Sequence, residues 1–314
     1  MTNLECRIPG RGLKTNVTAS VRHSSFVIRH SSPVTAAAFT LVEVMVVMTL
    51  LTLIVIALMG VFSATQSAFR ASVTQTDVLE SGRAAMDLIT RDLRTMSPSG
   101  GVNGGAVNFC VTNGPNSPPL IQSLTASGAL RTNVQQNLFI LSQGNLNGVP
   151  TWYGTGYTVL LTPTNTYTLY RYANHYPVSQ TGRDAYLFYT EFLNFVNFPD
   201  YKTNTYSRLL EGVVGFRVQA FDLNGGPIDY IVTNSIYTNA LPGQPRQIGY
   251  LFYSNAVPAT VEIEMSTLED RALQRAESRP FGPVRNQYLS DQSGRVHIFR
   301  QRVAIPNVVP AAYQ

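Results

Sequence analysis

Ala36-Ala37-Ala38-Phe39-Thr40-Leu41-Val42-Glu43-Val44-Met45-Val46-Val47-Met48 is the stretch on which the reading of this chain turns. From Val44 through Phe69 no residue is charged, and the segment up to Phe62 is almost wholly apolar. A helix of that length crosses a hydrocarbon core of ~30 Å. Arg7, Arg11, Lys14, Arg22 and Arg29 precede it, so the leader is expected to stay cytoplasmic and the C-terminal bulk to be exported. Glu43 is the anomaly. A carboxylate costs about 2.5–3.5 kcal/mol at the centre of a membrane helix and less near the interface. A plain anchor gives no reason to keep it. Cleavage between Ala38 and Phe39 would create an α-amino group four residues before Glu43, on the same helix face. The same amine–carboxylate pair could form between neighbouring subunits packed side by side.

Downstream the apolar pattern becomes periodic. Phe69, Val73, Thr76, Leu79, Met86, Ile89, Leu93 and Met96 predict an amphipathic stripe. Arg70, Asp77, Glu80, Arg83, Asp87, Arg91 and Arg94 occupy the other face, with Arg83, Asp87 and Arg91 as successive i,i+4 partners. Ser97-Pro98-Ser99-Gly100-Gly101 stops the helix. Residues 39–96 thus predict one helical spine, about 87 Å at 1.5 Å per residue. Its first half is apolar all round, and its second half needs a sheet to cover one stripe.

Beyond it, short β-like runs alternate with Gly, Pro and Asn clusters: 106–111, 137–141, 157–161, 167–172, 186–189, 213–221, 228–232, 248–253, 260–265 and 296–304. Val214, Phe216, Val218 and Ala220 alternate with Arg217 and Gln219, and Val261, Ile263 and Met265 with Glu262 and Glu264, as half-buried antiparallel strands do. Stretches 113–119 and 197–207 read as loops.

Composition fits an exported β-rich domain. Of 314 residues 44% are hydrophobic and only 13% charged, against roughly 25% charged in an average soluble domain. That argues against a disordered polyelectrolyte and a highly charged cytosolic enzyme. The net charge is +5, but five of the cations, against Glu5 alone, lie in residues 1–38. The remainder is nearly neutral, which removes a global electrostatic case for nucleic-acid binding. Locally, Arg271, Arg275, Arg279, Arg285, Arg295, Arg300 and Arg302 face only Glu277 and Asp291; a solvated or subunit-contacting face is expected, with a DNA or anionic-glycan surface as the minority reading.

The motif around the helix start resembles the type IV prepilin family, including the pseudopilins of type II secretion: a small residue, then Phe-Thr-Leu-x-Glu, then about twenty apolar residues. The resemblance implies that a membrane prepilin peptidase cuts between Ala38 and Phe39 and N-methylates Phe39. It makes Glu43 the assembly carboxylate, with Thr40 and Leu41 completing the motif. Two departures stand out. The family's usual residue before the cut is Gly rather than Ala38, and the 38-residue leader is long, with a near-repeat at Arg22-His23-Ser24-Ser25 and Arg29-His30-Ser31-Ser32. The run from Arg83 to Arg94 looks like the Arg-Ala-x-x-x-Leu-x-Arg-Asp-Leu-Arg pattern of J-type minor pseudopilins and W-type minor pilins. Leu210–Phe216, Phe221–Gly226, Pro258–Met265 and Phe299 resemble the same proteins weakly. Residues 102–205 match none of their patterns and form the specific part of the chain.

Other chemistry is thinly represented. His175 and His297 lie far apart without ligand spacing, and no nucleophile elbow or phosphate loop is present. Asp222-x-Asn224-x-Gly226 matches only the opening of a calcium loop and reads better as a hairpin turn. Cys6 falls in the leader, which leaves Cys110 without a disulfide partner, as a buried strand thiol.

The expectation is an α+β, pilin-like chain: a long N-terminal helical spine, transmembrane then amphipathic, packed against an antiparallel β-rich domain. Its parts are a removed leader (1–38), a membrane or filament-core half-helix (39–62), an amphipathic half (63–97) and an exported domain (98–314). It is expected to be no enzyme and to need no cofactor or metal. It sits in the inner membrane as a single-pass protein with its C-terminal domain periplasmic, then enters a filament that supports protein secretion. Expected partners are the prepilin peptidase, other pilins or pseudopilins and the inner-membrane assembly platform, not nucleic acid. The alternatives are a pilin-anchored adhesin or DNA-uptake minor pilin, and an uncleaved single-pass membrane-anchored domain.

Overall fold

The computed structural model describes residues 40–100, 106–114, 118–124, 128–163, 166–178, 184–197, 205–229, 233, 235–240 and 248–313. The chain divides into two compact units, Met1–Phe62 and Ser63–Gln314. Helix α1 runs over Leu41–Arg94 with Arg91 and Arg94 in its last turn, where cations complement the helix dipole. In the first unit its apolar residues from Leu41 to Phe62 are exposed.

In the second unit the strands β1 (Val107–Asn113), β2 (Leu120–Ser123), β3 (Leu130–Asn133), β4 (Gln136–Leu146), β5 (Val149–Leu160) and β6 (Thr168–Pro177) precede helix α2 (Asp184–Asn197). Then follow β7 (Tyr206–Leu210), β8 (Val213–Phe221), β9 (Ile236–Ala240), β10 (Ile248–Tyr253), β11 (Thr260–Leu268), helices α3 (Asp270–Glu277) and α4 (Pro283–Ser290), and β12 (Val296–Ala304). Seven strands form one antiparallel sheet in the order β7-β6-β5-β4-β1-β10-β9. Three form a second, β12-β11-β8, and β2 pairs with β3. The architecture is α+β: the lower part of the long helix packs into a large antiparallel domain.

The two faces of the large sheet serve different cores, as strand alternation requires. Phe109, Val111, Leu138, Ile140, Tyr157 and Leu169 point into the main core, shared with Ala85, Met86, Ile89 and Leu93 of α1, with Met96 just beyond the helix and with the inward faces of β8 and β11. Cys110, Phe139, Leu141, Trp152 and Tyr172 point the opposite way, under Ala185, Phe188, Phe192 and Val196 of α2. The inward and outward alternation read for β8 and β11 is present: Val214, Phe216, Val218, Val261, Ile263 and Met265 are buried while Arg217, Gln219, Glu262 and Glu264 are half-buried.

Glycines set the approach of helices to sheets at two places. A Cβ on Gly154 would lie 2.5 Å from the Phe188 Cβ, and one on Gly156 would lie 2.5 Å from the Phe192 ring. The Gly154-x-Gly156 pair on β5 is therefore the seat of α2, whose Phe188 and Phe192 are one turn apart. On α1, a Cβ at Gly82 would sit 2.3 Å from the Phe299 ring, so Gly82 is the notch that receives β12.

Five expectations need correction. The covered stripe of α1 starts at Val78 (4% exposed), not at Phe69 (70%) or Val73 (44%), because the domain reaches the helix only from the Gly82 notch and its flanks onward. Segment 186–189 is helical: Ala185, Phe188, Phe192 and Val196 recur at helical spacing and line one buried face, a period that outweighs the β-favouring composition. Ile228 and Asp229 lie outside any strand, and 230–232 fall outside the described residues. The i,i+4 charges Arg83, Asp87 and Arg91 are exposed and form no ion pair within 4.0 Å of one another. In the stretch read as a loop, Tyr206 and Ser207 instead open β7.

Gly154→Ala is expected to cost about 1–3 kcal/mol by forcing α2 off β5. Gly294→Ala, where nothing lies within 4 Å, should stay within about 0.5 kcal/mol of the parent. Thermal unfolding of the full chain in detergent measures both.

Candidate functional site

The start of α1 is a closed capping box. The Thr40 amide donates to Glu43 Oε2 at 2.9 Å and the Thr40 hydroxyl to the same oxygen at 3.0 Å, while the Glu43 amide donates to Thr40 Oγ1 at 3.3 Å. Threonine at the N-cap and glutamate three residues later satisfy amides that the first turn leaves orphaned. Glu43 thus has a local task that the bare sequence reading denied to an ordinary anchor. Leu41 is exposed. Ala38 and Phe39, the expected cleavage pair, lie outside the described residues. After Glu43, α1 is apolar and unburied over a length sufficient to cross a membrane.

The other end of α1 is fixed by a buried polar lock. Asp92 is buried, and its Oδ2 accepts from the Tyr157 hydroxyl at 2.5 Å and from Arg171 Nε at 2.8 Å. Arg171 Nε also donates to the Tyr157 oxygen at 3.3 Å. Tyr157 is on β5 and Arg171 on β6, so the triad ties the last turn of the helix to two adjacent strands. Burial, then the Asp92 carboxylate, pushes the Tyr157 hydroxyl up, which keeps it a donor. Burial alone would lower the Arg171 guanidinium, but its bonds to Asp92 and Tyr157 outweigh that and raise it. A little further on, Asn108, fully buried, accepts from the Ser99 amide at 3.0 Å and donates to the carbonyls of Ser254 and Ala256, both at 2.8 Å. It secures the chain as it leaves the helix.

A second structural carboxylate is marked by no motif in the sequence. Glu191 on α2 accepts from the hydroxyls of Tyr172 (2.7 Å) and Tyr176 (2.6 Å) and from the Asn174 amide (2.9 Å), while Tyr206 donates to its backbone carbonyl at 3.2 Å. Phe195 stacks on Tyr206 with ring centroids 3.6 Å apart. This aromatic belt holds α2 onto β6 and β7. Tyr172, Asn174 and Tyr176 alternate along β6, so a period-2 row of hydrogen-bonding side chains was the available signal.

The arginine-rich segment does not form one basic surface. Arg285 is buried and donates to the carbonyls of Arg279 (3.0 Å) and Glu277 (3.3 Å) and to Thr166 Oγ1 (3.1 Å), bracing α4 against the loop after β5. Arg300 and Arg302 flank Glu262 at 2.5 and 3.4 Å, and Arg279 lies over the Tyr288 ring at 4.2 Å. Asp222 Oδ1 is consumed by the amides of Asn224 (2.9 Å) and Gly226 (2.8 Å) in a turn with Gly225 at φ +79°, the hairpin reading rather than a calcium loop. His175 stacks on Tyr153 at 5.8 Å and His297 lies 3.5 Å from Glu269, so the two do not converge. Among the described residues no three His, Cys, Asp or Glu side chains gather as a metal site. Cys110 is buried on β1, 3.3 Å from the Tyr189 oxygen, and burial pushes its thiol up to about 12.

No protein-family model, curated protein or solved structure matches the chain.

Asp92→Ala leaves a guanidinium and a buried hydroxyl without their acceptor and is expected to destabilise the domain by about 3 kcal/mol. The apolar triple Asp92→Leu, Tyr157→Phe, Arg171→Met should recover most of that loss. Chemical unfolding of the three proteins in detergent separates the cost of breaking the lock from its net worth.

Proposed function

We propose that this chain is a non-enzymatic, membrane-staged filament subunit, a minor pilin or pseudopilin. In this reading a prepilin peptidase removes residues 1–38 and methylates the amine of Phe39, and the apolar part of α1 holds the protein in the inner membrane with its β-rich domain in the periplasm. The same apolar segment then packs with those of neighbouring subunits as the protein joins a type II secretion pseudopilus or a related filament. The observation that carries the reading is an exposed apolar segment of α1 headed in its first turn by a carboxylate, Glu43, in a chain whose second unit is an α+β domain. The large specific domain favours a minor or tip-proximal subunit over a bulk one.

The capping box favours a second reading. A glutamate that serves its own helix start needs no filament, so an uncleaved single-pass anchor remains a competitor. The two readings differ over charge. Glutamine at the third helical position keeps a capping box but cannot pair with an amine as an ion. Under the filament reading Glu43→Gln and Glu43→Leu both remain in the membrane and both fall at least about tenfold, the equivalent of roughly 1.4 kcal/mol, in the sheared-filament fraction of the native host. Under the anchor reading neither variant changes any fraction. Quantitative immunoblotting of membrane and sheared fractions decides between them.

A further inference from the structure

Strand β12 is the outermost strand of its sheet, and a groove of about 380 Å³ runs between it and α1. Arg83, Met86 and Asp87 of the helix form one wall, and Ile298 to Gln301 form the other. Two bonds at the ends of the β11–β12 ladder fix which backbone groups face that groove. The Glu269 amide donates to the Arg295 carbonyl, and the Ile305 amide to the Ala259 carbonyl, both at 3.0 Å. Register is continuous between them, from Leu268 opposite Val296 to Thr260 opposite Ala304. In an antiparallel ladder the bonded pairs alternate, so His297, Phe299, Gln301 and Val303 bond inward to β11. The N–H and C=O groups of Ile298, Arg300 and Arg302 therefore point away from the sheet, and no hydrogen bond to any of them occurs among the described residues.

An edge of nine residues with no bulge and no proline is a template for another strand. Antiparallel self-pairing in the central register, about Arg300, sets that guanidinium against its own copy, and like charges directly opposite destabilise a pair. The charges instead suit an acidic partner. Arg300 and Arg302 share the Glu262 carboxylate, with Glu264 opposite Arg300 and Arg302 also over the Phe221 ring at 3.7 Å. These partners lie on the inner side, so a strand added outside β12 meets the two guanidiniums first. Arg83 stands on the far wall beside Asp87. Met86 and Phe299 at the base give apolar contacts to the alternate side chains turned toward α1, while Ile298, half exposed, lies on the face of Arg300 and Arg302.

We infer that the free edge of β12 takes up an extended segment of a different protein, one that alternates acidic residues, aligned with Arg300 and Arg302, with apolar residues turned toward Met86 and Phe299. The main-chain bonds of Ile298 and Arg300 supply the attachment, and the arginines choose the partner. The inference rests on this edge alone and does not depend on the filament reading.

The test uses the full chain in detergent micelles and a synthetic strand peptide of alternating valine and glutamate, read by amide hydrogen exchange. Exchange at Ile298 and Arg300 is expected to slow by about tenfold or more on adding the peptide, with no change at Phe299, which is already bonded inward. The valine–lysine counterpart should give no protection, and neither should a valine–glutamate peptide N-methylated at every second residue along its pairing edge. Ile298→Pro removes only an outward-facing donor and should abolish the effect with the melting temperature kept; if that variant unfolds, the N-methylated peptide still carries the test. Unchanged exchange at both amides would overturn the proposal, as would equal protection by the lysine or N-methylated peptide.

Discussion

The position of the long helix on its domain depends on one buried carboxylate. An apolar stripe alone would let α1 slide or turn against the sheet at modest cost, since Ala85, Met86, Ile89 and Leu93 are similar in chemistry and recur at helical spacing. Asp92 removes that freedom. In its observed place it accepts from Tyr157 and Arg171; moved along the core by one turn it would be a charge without partners in an apolar medium, a penalty of several kcal/mol. A buried ion pair adds little net stability over well-packed apolar side chains, but it discriminates strongly between arrangements. Here it sets the register of helix on sheet, and the Gly82 notch and the Asn108 tether agree with that register.

Much of the architecture was legible because it follows from periodicity. The helix, its apolar upper part and the strands at 213–221, 248–253 and 296–304 can be read from spacing alone, since one residue type per face leaves few alternatives. What escaped reading was decided by contacts distant in sequence. Asp92 looks like one more charge on a polar face until β5 and β6 bring a tyrosine and an arginine to it. Segment 186–189 reads as strand by composition, and becomes helix because Gly154 and Gly156 offer a bare patch of sheet to two phenylalanines. The arginines of 271–302 count as a basic patch by sequence, yet Arg285 is buried among carbonyls and two others share Glu262.

The helix start illustrates a different limit. Phe-Thr-Leu-x-Glu drew attention to Glu43 as a carboxylate in need of a partner, and the nearest partners turn out to be the hydroxyl and amide of Thr40. The two roles are compatible in time. A carboxylate held by its own cap is a stable way to wait in the membrane, and exchange of the Thr40 bonds for a neighbouring amine would be favoured where the ionic pair is shielded from water. On the proposed filament reading the motif would encode both the start of the helix and its later contact.

Whether this chain is processed as a filament subunit is read from the intact mass and N-terminal sequence of the protein purified from membranes of its native host. The filament proposal expects a chain beginning at N-methylated Phe39, with the leader and its Cys6 gone. A full leader still attached, in cells whose peptidase processes other substrates, would contradict it and leave a membrane-anchored domain with a well-capped helix.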